Sequence, residues 1–160
     1  TWEWMAELSE TASFTVRTTA APQFRRTALR RRRLTSMTPV RMAGAGYALR
    51  EQPGGAETPA ATRGVNDGNG FLFIDRVGNL CPSGFLQIPA GNVRTDEIAT
   101  TYRSAPMFRE LRDPAALSGR CGSCRYATLC GGSRARAYGV TGSFLADDPL
   151  CALGEEERAG

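Results

Sequence analysis

The 160-residue sequence contains no histidine and no lysine, and all twenty of its basic residues are arginine. Without an imidazole, the chain lacks both the usual general base near neutral pH and the commonest nitrogen ligand of metals. Any metal site must therefore rely mainly on thiolates. We interpret the absence of lysine as a coding bias rather than as a functional signal.

Long apolar runs are also missing. No stretch approaches the roughly 20 apolar residues that cross a bilayer, and the N-terminus lacks the charged start and apolar core of a signal peptide. We therefore predict a soluble, cytoplasmic protein without a membrane partner. In a reducing compartment, clustered thiols serve as metal ligands or redox groups more often than they form disulfides.

Four consecutive arginines, Arg30 to Arg33, are the densest charge run. A nucleic-acid interface would also need aromatic side chains among them to stack on bases, and none is interleaved. The run therefore predicts a solvated helix end, and we expect no nucleic-acid partner.

The first third of the chain predicts a helix in "TWEWMAELSE", a strand in "SFTVRTTA" and a second helix in "APQFRRTALRRRRL". Residues 35–68 are rich in Gly, Pro, Ala and Thr without a sustained period, which is typical of a linker or mobile loop. A single strand cannot bury both of its faces alone, so we expect this part to be loosely attached. The abrupt start at Thr1 suggests a piece of a longer protein.

From Gly70 onward the sequence predicts a small α+β unit. "GFLFID" and "LCPSGFLQI" read as a hairpin whose turn contains Gly78. Thr95 is the predicted N-cap of a first helix, and a second helix is expected from Pro106 to a point before Pro114. A cysteine-bearing loop and a short helix in "SRARAYGV" should follow.

Four of the five cysteines follow the pattern Cys121-x2-Cys124-x5-Cys130, with Cys151 after a further gap of twenty residues. The two-residue gap lets two thiolates converge across a tight turn, so four ligands are available to a metal group. Zinc ribbons usually repeat the short gap in both halves, whereas the later gaps here are long. The spacing therefore favours an iron–sulfur cluster over zinc, although four thiolates serve either.

The stretches "GRCGSCRYATLCGGSRARAYGVTGSFLADDPLC" and "GNLCPSGFLQIPAGNVR" resemble the C-terminal auxiliary-cluster region, called SPASM or twitch, of radical S-adenosylmethionine enzymes. "SFTVRTTAAPQFRR" similarly looks like the last strand and helix of their α/β partial barrel. The resemblance implies a barrel remnant at 1–34, the linker at 35–68, a SPASM/twitch-like domain of hairpin and short helices at 69–153, and a tail at 154–160.

Carried onto this sequence, the resemblance makes Cys121, Cys124, Cys130 and Cys151 the ligands of one auxiliary [4Fe–4S] cluster. A further cysteine that would feed a second cluster is replaced by Arg134. Cys81 aligns with a hairpin cysteine of the family but lacks its companions, so we interpret it as a small buried hydrophobe.

The Cys-x3-Cys-x2-Cys motif that holds the radical-generating cluster in this family does not occur in the 160 residues. The resemblance therefore implies an accessory part, not catalytic alone, that aids substrate binding or electron transfer. S-adenosylmethionine would bind only in the intact parent enzyme, with a radical core in the same chain or on a partner and a peptide or tetrapyrrole substrate. The alternative is a zinc-stabilised interaction module.

Overall fold

The computed structural model describes residues 2–13, 21–35 and 66–155. The predicted strand "SFTVRTTA", apart from its first residue, and residues 36–65 of the predicted linker lie outside the described residues.

Both predicted N-terminal helices are confirmed. Helix α1 spans Trp2–Thr11 and helix α2 spans Gln23–Thr35, directly after Pro22. They pack through Ala6 on α1 and Phe24 on α2, with Ala28 and the partly buried Trp2 and Met5 around them. Small alanines at this contact let the two backbones approach closely while Phe24 supplies apolar area.

A three-stranded antiparallel sheet follows, in the order β1-β2-β3. Strand β1 is Phe73–Ile74, β2 is Asn79–Cys81 and β3 is Gly91–Asn92. The first two strands confirm the predicted hairpin, with Phe73 opposite Cys81. The third strand was not predicted, because two residues without large side chains carry no alternating apolar pattern.

The turn between β1 and β2 is held by the carboxylate of Asp75. It accepts hydrogen bonds from the amide of Val77 at 2.9 Å and from the amide and side chain of Asn79 at 2.9 and 2.8 Å. Gly78 has a φ of +92°, and a Cβ there would lie 3.0 Å from Asn92 Oδ1. The turn therefore requires glycine at position 78.

Two short helices come next: α3 spans Ile98–Ser104 and α4 spans Pro106–Arg112. The predicted N-cap at Thr95 is wrong. The cap is Glu97, whose carboxylate accepts from the amides of Ala99 at 3.0 Å and Thr100 at 2.6 Å. Because the helix begins at residue 98, the Thr95 hydroxyl is too far back, and it donates to Asp96 instead at 2.9 Å.

A 3₁₀ turn at Pro114–Ala116 leads into helix α5, Gly119–Gly122, and the last helix, α6, is Arg134–Thr141. Cys121 therefore lies in a helical turn, where the sequence predicted a loop. Helix α6 confirms the prediction for "SRARAYGV", and its N-cap is Ser133, whose hydroxyl accepts from the Arg136 amide. Within the described ranges, no helix has the length and apolar character needed to cross a membrane.

The second part of the chain has its own buried residues. Leu80 and Cys81 in β2, Leu86 after it, Phe108 in α4 and Ala137 in α6 are almost completely buried. Two charged side chains, those of Arg134 and Asp148, are buried as completely as this apolar core. Buried charge of this kind needs compensating partners, which directs attention to the region around both residues.

Close packing at Gly122 gives a stability test of helix α5. A Cβ at position 122 would lie 2.1 Å from the carbonyl oxygen of Leu117, whereas a Cβ at Gly139 in α6 meets no atom within 4 Å. Gly122→Ala should destabilise the protein by about 1–3 kcal/mol through this clash. Gly139→Ala should instead stabilise by about 0.5–1 kcal/mol, because alanine favours the helix. Denaturant unfolding at matched metal content measures both, and equal effects would contradict the packing.

Candidate functional site

Cys121, Cys124, Cys130 and Cys151 line one cleft, which is partly open to solvent. We call it the cysteine cleft. Cys121 and Cys130 are buried, the other two are half-buried, and no disulfide joins them. The remaining lining includes Gln23, Arg26, Tyr126, Gly132, Asp147 and Asp148. The four cysteines chosen from the sequence thus face a common space, whereas Cys81 lies in strand β2 and does not line it.

Helix α5 positions Cys121 against the segment before Cys151. The Cys121 amide donates to Asp147 Oδ1 at 2.8 Å, and the side chain of Arg120 donates to Asp147 Oδ2 at 3.2 Å. The Ser118 amide also donates to the carbonyl of Leu145 at 2.9 Å. These contacts bring residues 26 positions apart to the same side of the cleft.

Backbone amides point at two of the four sulfurs. The amide of Asp148 lies 3.5 Å from Cys121 Sγ, and the amide of Tyr126 lies 3.4 Å from Cys124 Sγ. Donors arranged in this way stabilise negative charge on sulfur.

The approach of the backbone to Cys121 depends on glycine at position 132. Gly132 has a φ of +66°, and a Cβ there would lie 3.3 Å from Cys121 Sγ and 2.5 Å from Arg134 Nη2. A larger residue would be strained and would displace the guanidinium. The Cys-Gly-Gly step of the sequence thus serves close packing around a thiol.

Asp148 connects three parts of the site. Its fully buried carboxylate accepts from Gln23 Nε2 at 2.6 Å, from Arg136 Nη2 at 2.7 Å and from the Ser133 amide at 2.8 Å. Additional bonds come from Arg136 Nε at 3.1 Å and the Leu150 amide at 3.1 Å. Helix α2 is therefore tied to α6 and to the Cys151 segment by buried contacts, contrary to the expectation of a loosely attached first third.

Burial by itself would raise the pKa of the Asp148 carboxyl. The hydrogen bonds from Arg136, Ser133 and Leu150, together with the charge of Arg136, outweigh burial, and the pKa is lowered. A lowered folded-state pKa means that this carboxylate stabilises the fold above its ordinary value of about 3.9. The stabilisation is lost as the pH falls through the lowered value.

Two buried arginines lie beside cysteines of the cleft, and one of them, Arg26, also lines it. Arg134 is 2% exposed and Arg26 is 6% exposed. Arg134 Nη2 lies 3.7 Å from Cys121 Sγ. Arg26 Nη1 lies 4.0 Å from Cys151 Sγ.

Within the part of the chain that the structure describes, neither guanidinium forms an ion pair with a carboxylate. Arg134 donates instead to the carbonyls of Phe144 at 3.0 Å and Ala146 at 2.8 Å, and Arg26 lies 5.9 Å over the ring of Tyr126. A buried cation without a counter-charge costs several kcal/mol. The contacting groups that can carry negative charge are the thiols of Cys121 and Cys151.

The Cys130 thiol, which also lines the cleft, has a pKa that burial and its neighbours shift in opposite directions. Burial raises the pKa of the Cys130 thiol, while the Gly132 hydrogen bond and the charge of Arg26 act in the opposite direction. The net result is a raised pKa, so the free thiol is protonated at neutral pH. A metal that binds here must displace the proton, which makes its affinity pH-dependent.

The thiols are not gathered around a single ion. Among the described residues, no group of three or more His, Cys, Asp or Glu side chains is placed to hold one metal ion. Tetrahedral zinc, with Zn–S near 2.3 Å, requires sulfurs about 3.8 Å apart. In a four-iron cluster each thiolate binds a different iron, so the sulfurs lie farther apart around a larger group. The four thiols that line the cleft supply the donor atoms that either kind of group requires.

Sequence reasoning missed Gln23, Arg26 and Asp148 as parts of the site. The only local signal is that Asp148 stands within the "ADDPLC" stretch, three residues before Cys151. Gln23 and Arg26 are separated from that stretch by more than a hundred residues, so no spacing rule could have linked them.

The Asp148 contacts predict a stability loss and an altered acid response. Asp148→Asn should cost roughly 2–4 kcal/mol at pH 7, because Arg136 loses its buried counter-charge and one oxygen becomes a donor facing donors. The free energy of unfolding of the variant should also fall less steeply below pH 4 than that of the wild type. The variant lacks the carboxyl group whose pKa is lowered in the folded protein. Denaturant unfolding across pH measures both, and an unchanged acid slope would contradict the assignment.

Comparison with known proteins finds no matching family model and no matching solved structure. Curated proteins do match. The chain is 34% identical over 148 residues to an AdoMet-dependent heme synthase of Oleidesulfovibrio alaskensis, covering 92% of this chain and 35% of the relative. It is 45% identical over 92 residues to the AdoMet-dependent heme synthase of Methanosarcina barkeri, covering 58% of this chain and 26% of the relative.

A third relative, the mycofactocin maturase MftC of Mycobacterium ulcerans, is 38% identical over 92 residues, covering 54% of this chain and 25% of the relative. The chain thus spans about a quarter to a third of the length of these proteins. These similarities support a relationship between this chain and the radical S-adenosylmethionine family of enzymes.

Proposed function

We propose that the cysteine cleft binds one auxiliary [4Fe–4S] cluster through Cys121, Cys124, Cys130 and Cys151. In this proposal residues 69–153 form a SPASM/twitch-like accessory domain of a radical S-adenosylmethionine enzyme. The observation that carries it is that four thiols line one cleft, while two buried guanidiniums without a carboxylate partner among the described residues lie beside the sulfurs of Cys121 and Cys151.

Charge supports this proposal. Four thiolates place negative charge beside Arg26 and Arg134, which would otherwise be buried cations without counter-charge. Amides aimed at two sulfurs add hydrogen bonds of the kind that stabilise cluster ligands. The cleft therefore offers both the donor set and the electrostatic setting that such a group needs.

A single cluster is favoured by position 134. The residue that would feed a second cluster is an arginine, and its guanidinium is turned toward Cys121 and two backbone carbonyls. The same side chain thus removes one ligand and supplies a donor to the remaining site.

When bound, an iron–sulfur cluster supplies one-electron transfer. The amides of Tyr126 and Asp148 donate to sulfurs of the cleft. The burial of Cys121 and Cys130 limits the access of water to their thiols. The names of the relatives, heme synthase and mycofactocin maturase, support a tetrapyrrole or a peptide as substrate of the complete enzyme. A radical core in the same polypeptide or on a partner would cleave S-adenosylmethionine, for which these 160 residues hold no three-cysteine motif.

Metal content tests the cluster. Anaerobically purified protein should be brown and contain about four irons per chain. Cys130→Ser should lose most of this iron, because a serine oxygen is a poor soft-metal ligand, and the region should loosen as metal binding and folding are coupled. Iron analysis and visible absorption measure the change.

Cys81→Ser is the matched control, since it makes the same substitution at a buried cysteine outside the cleft. It should keep most of the iron. Full iron retention in Cys130→Ser, or an equal loss in both variants, would refute the ligand assignment. Colourless wild-type protein with one zinc would support the zinc-stabilised interaction module instead.

A further inference from the structure

We propose that Arg26 and Arg134 are positioning residues that raise the reduction potential of the group held in the cysteine cleft. Arg26 comes from helix α2, more than a hundred residues before the thiol that it contacts. The inference rests on the proposed cluster and adds which residues set its electronic properties.

The position of Arg26 is determined by its helix. Gln23, one turn earlier on α2, donates to the buried carboxylate of Asp148 at 2.6 Å, and Phe24 packs in the α1–α2 core. This anchoring directs Arg26 into the cleft, where Nη1 lies 4.0 Å from Cys151 Sγ.

Arg134 is the first residue of helix α6, far along the chain from Arg26 in helix α2. Its guanidinium is held by the carbonyls of Phe144 and Ala146, and Nη2 is thereby directed at Cys121 Sγ, 3.7 Å away. Arg134 thus contacts Cys121 and Arg26 contacts Cys151. These two cysteines are separated by 29 intervening residues in the sequence. Neither guanidinium forms an ion pair with a carboxylate in the described ranges.

The physical consequence follows from charge. When the cluster accepts one electron from an external reductant, the site gains one negative charge. A buried cation near the sulfurs stabilises that added charge, and does so more strongly than in water because the local dielectric is low. Removing the cation should therefore make the midpoint potential more negative, while the four thiolates still hold the iron.

Arg26→Gln is the informative variant, because it removes the charge while keeping a polar side chain of similar length. Arg125→Gln is the matched control: Arg125 is exposed and lies 4.9 Å over the same Tyr126 ring, but it does not line the cleft. The experiment is a redox titration of the anaerobically reconstituted full chain, followed by electron paramagnetic resonance, with iron content measured on each sample.

Arg26→Gln should retain its iron and show at least a tenfold lower reduced-to-oxidised ratio at a fixed potential, which is about 59 mV for one electron. Arg125→Gln should match the wild type. An unshifted Arg26→Gln would overturn the inference, and so would an equal shift in Arg125→Gln, because the effect would then be a general one of surface charge.

If Arg26→Gln loses its iron, Arg26→Lys decides the matter. Retention of iron with a midpoint close to the wild type would support the role of charge. Loss of iron from the lysine variant as well would overturn it, since charge alone would not suffice. A wild-type chain that binds no iron would refute the cluster itself, whereas iron-loaded variants with unchanged potentials would refute only the role of the arginines.

Discussion

A single buried carboxylate holds the described parts of the molecule together around the cleft. Asp148 has no exposed surface, and its two oxygens accept five hydrogen bonds from helix α2, from the start of helix α6 and from the segment that leads to Cys151. Its own amide is directed at Cys121 Sγ. These donors offset the cost of burying the carboxylate. The same hydrogen bonds therefore hold helix α2, the start of helix α6 and the Cys151 segment beside one another.

A second constraint is the balance of charge inside the cleft. Arg26 and Arg134 are buried without carboxylate partners in the described ranges, and each contacts a different thiol. Such an arrangement is unfavourable if the thiols are neutral and favourable if they are thiolates. Burial raises the pKa of the Cys130 thiol. Binding of a metal group at this thiol would therefore depend on pH, because the proton must leave first.

Much of the local structure could be predicted, because its determinants are local. Pro22 before α2, Pro106 at the start of α4 and Gly78 in the hairpin act within a few residues of where they stand. The failures also have local causes: Glu97 replaces Thr95 as N-cap because the helix begins two residues later than expected. Strand β3 was missed because Gly91–Asn92 pairs through its backbone and carries no side-chain pattern.

The sequence by itself determined the donor set: a chain without histidine, with four cysteines at spacings that favour one thiolate-bound group, and with arginine where a further cysteine would stand. Tertiary structure alone decided which residues surround the four thiols. Gln23 and Arg26 reach Asp148 and Cys151 across 125 positions, and no periodicity or motif encodes such a contact. The physical reason is that desolvated charges find their partners only when the chain is folded, through distances that depend on the packing of whole helices.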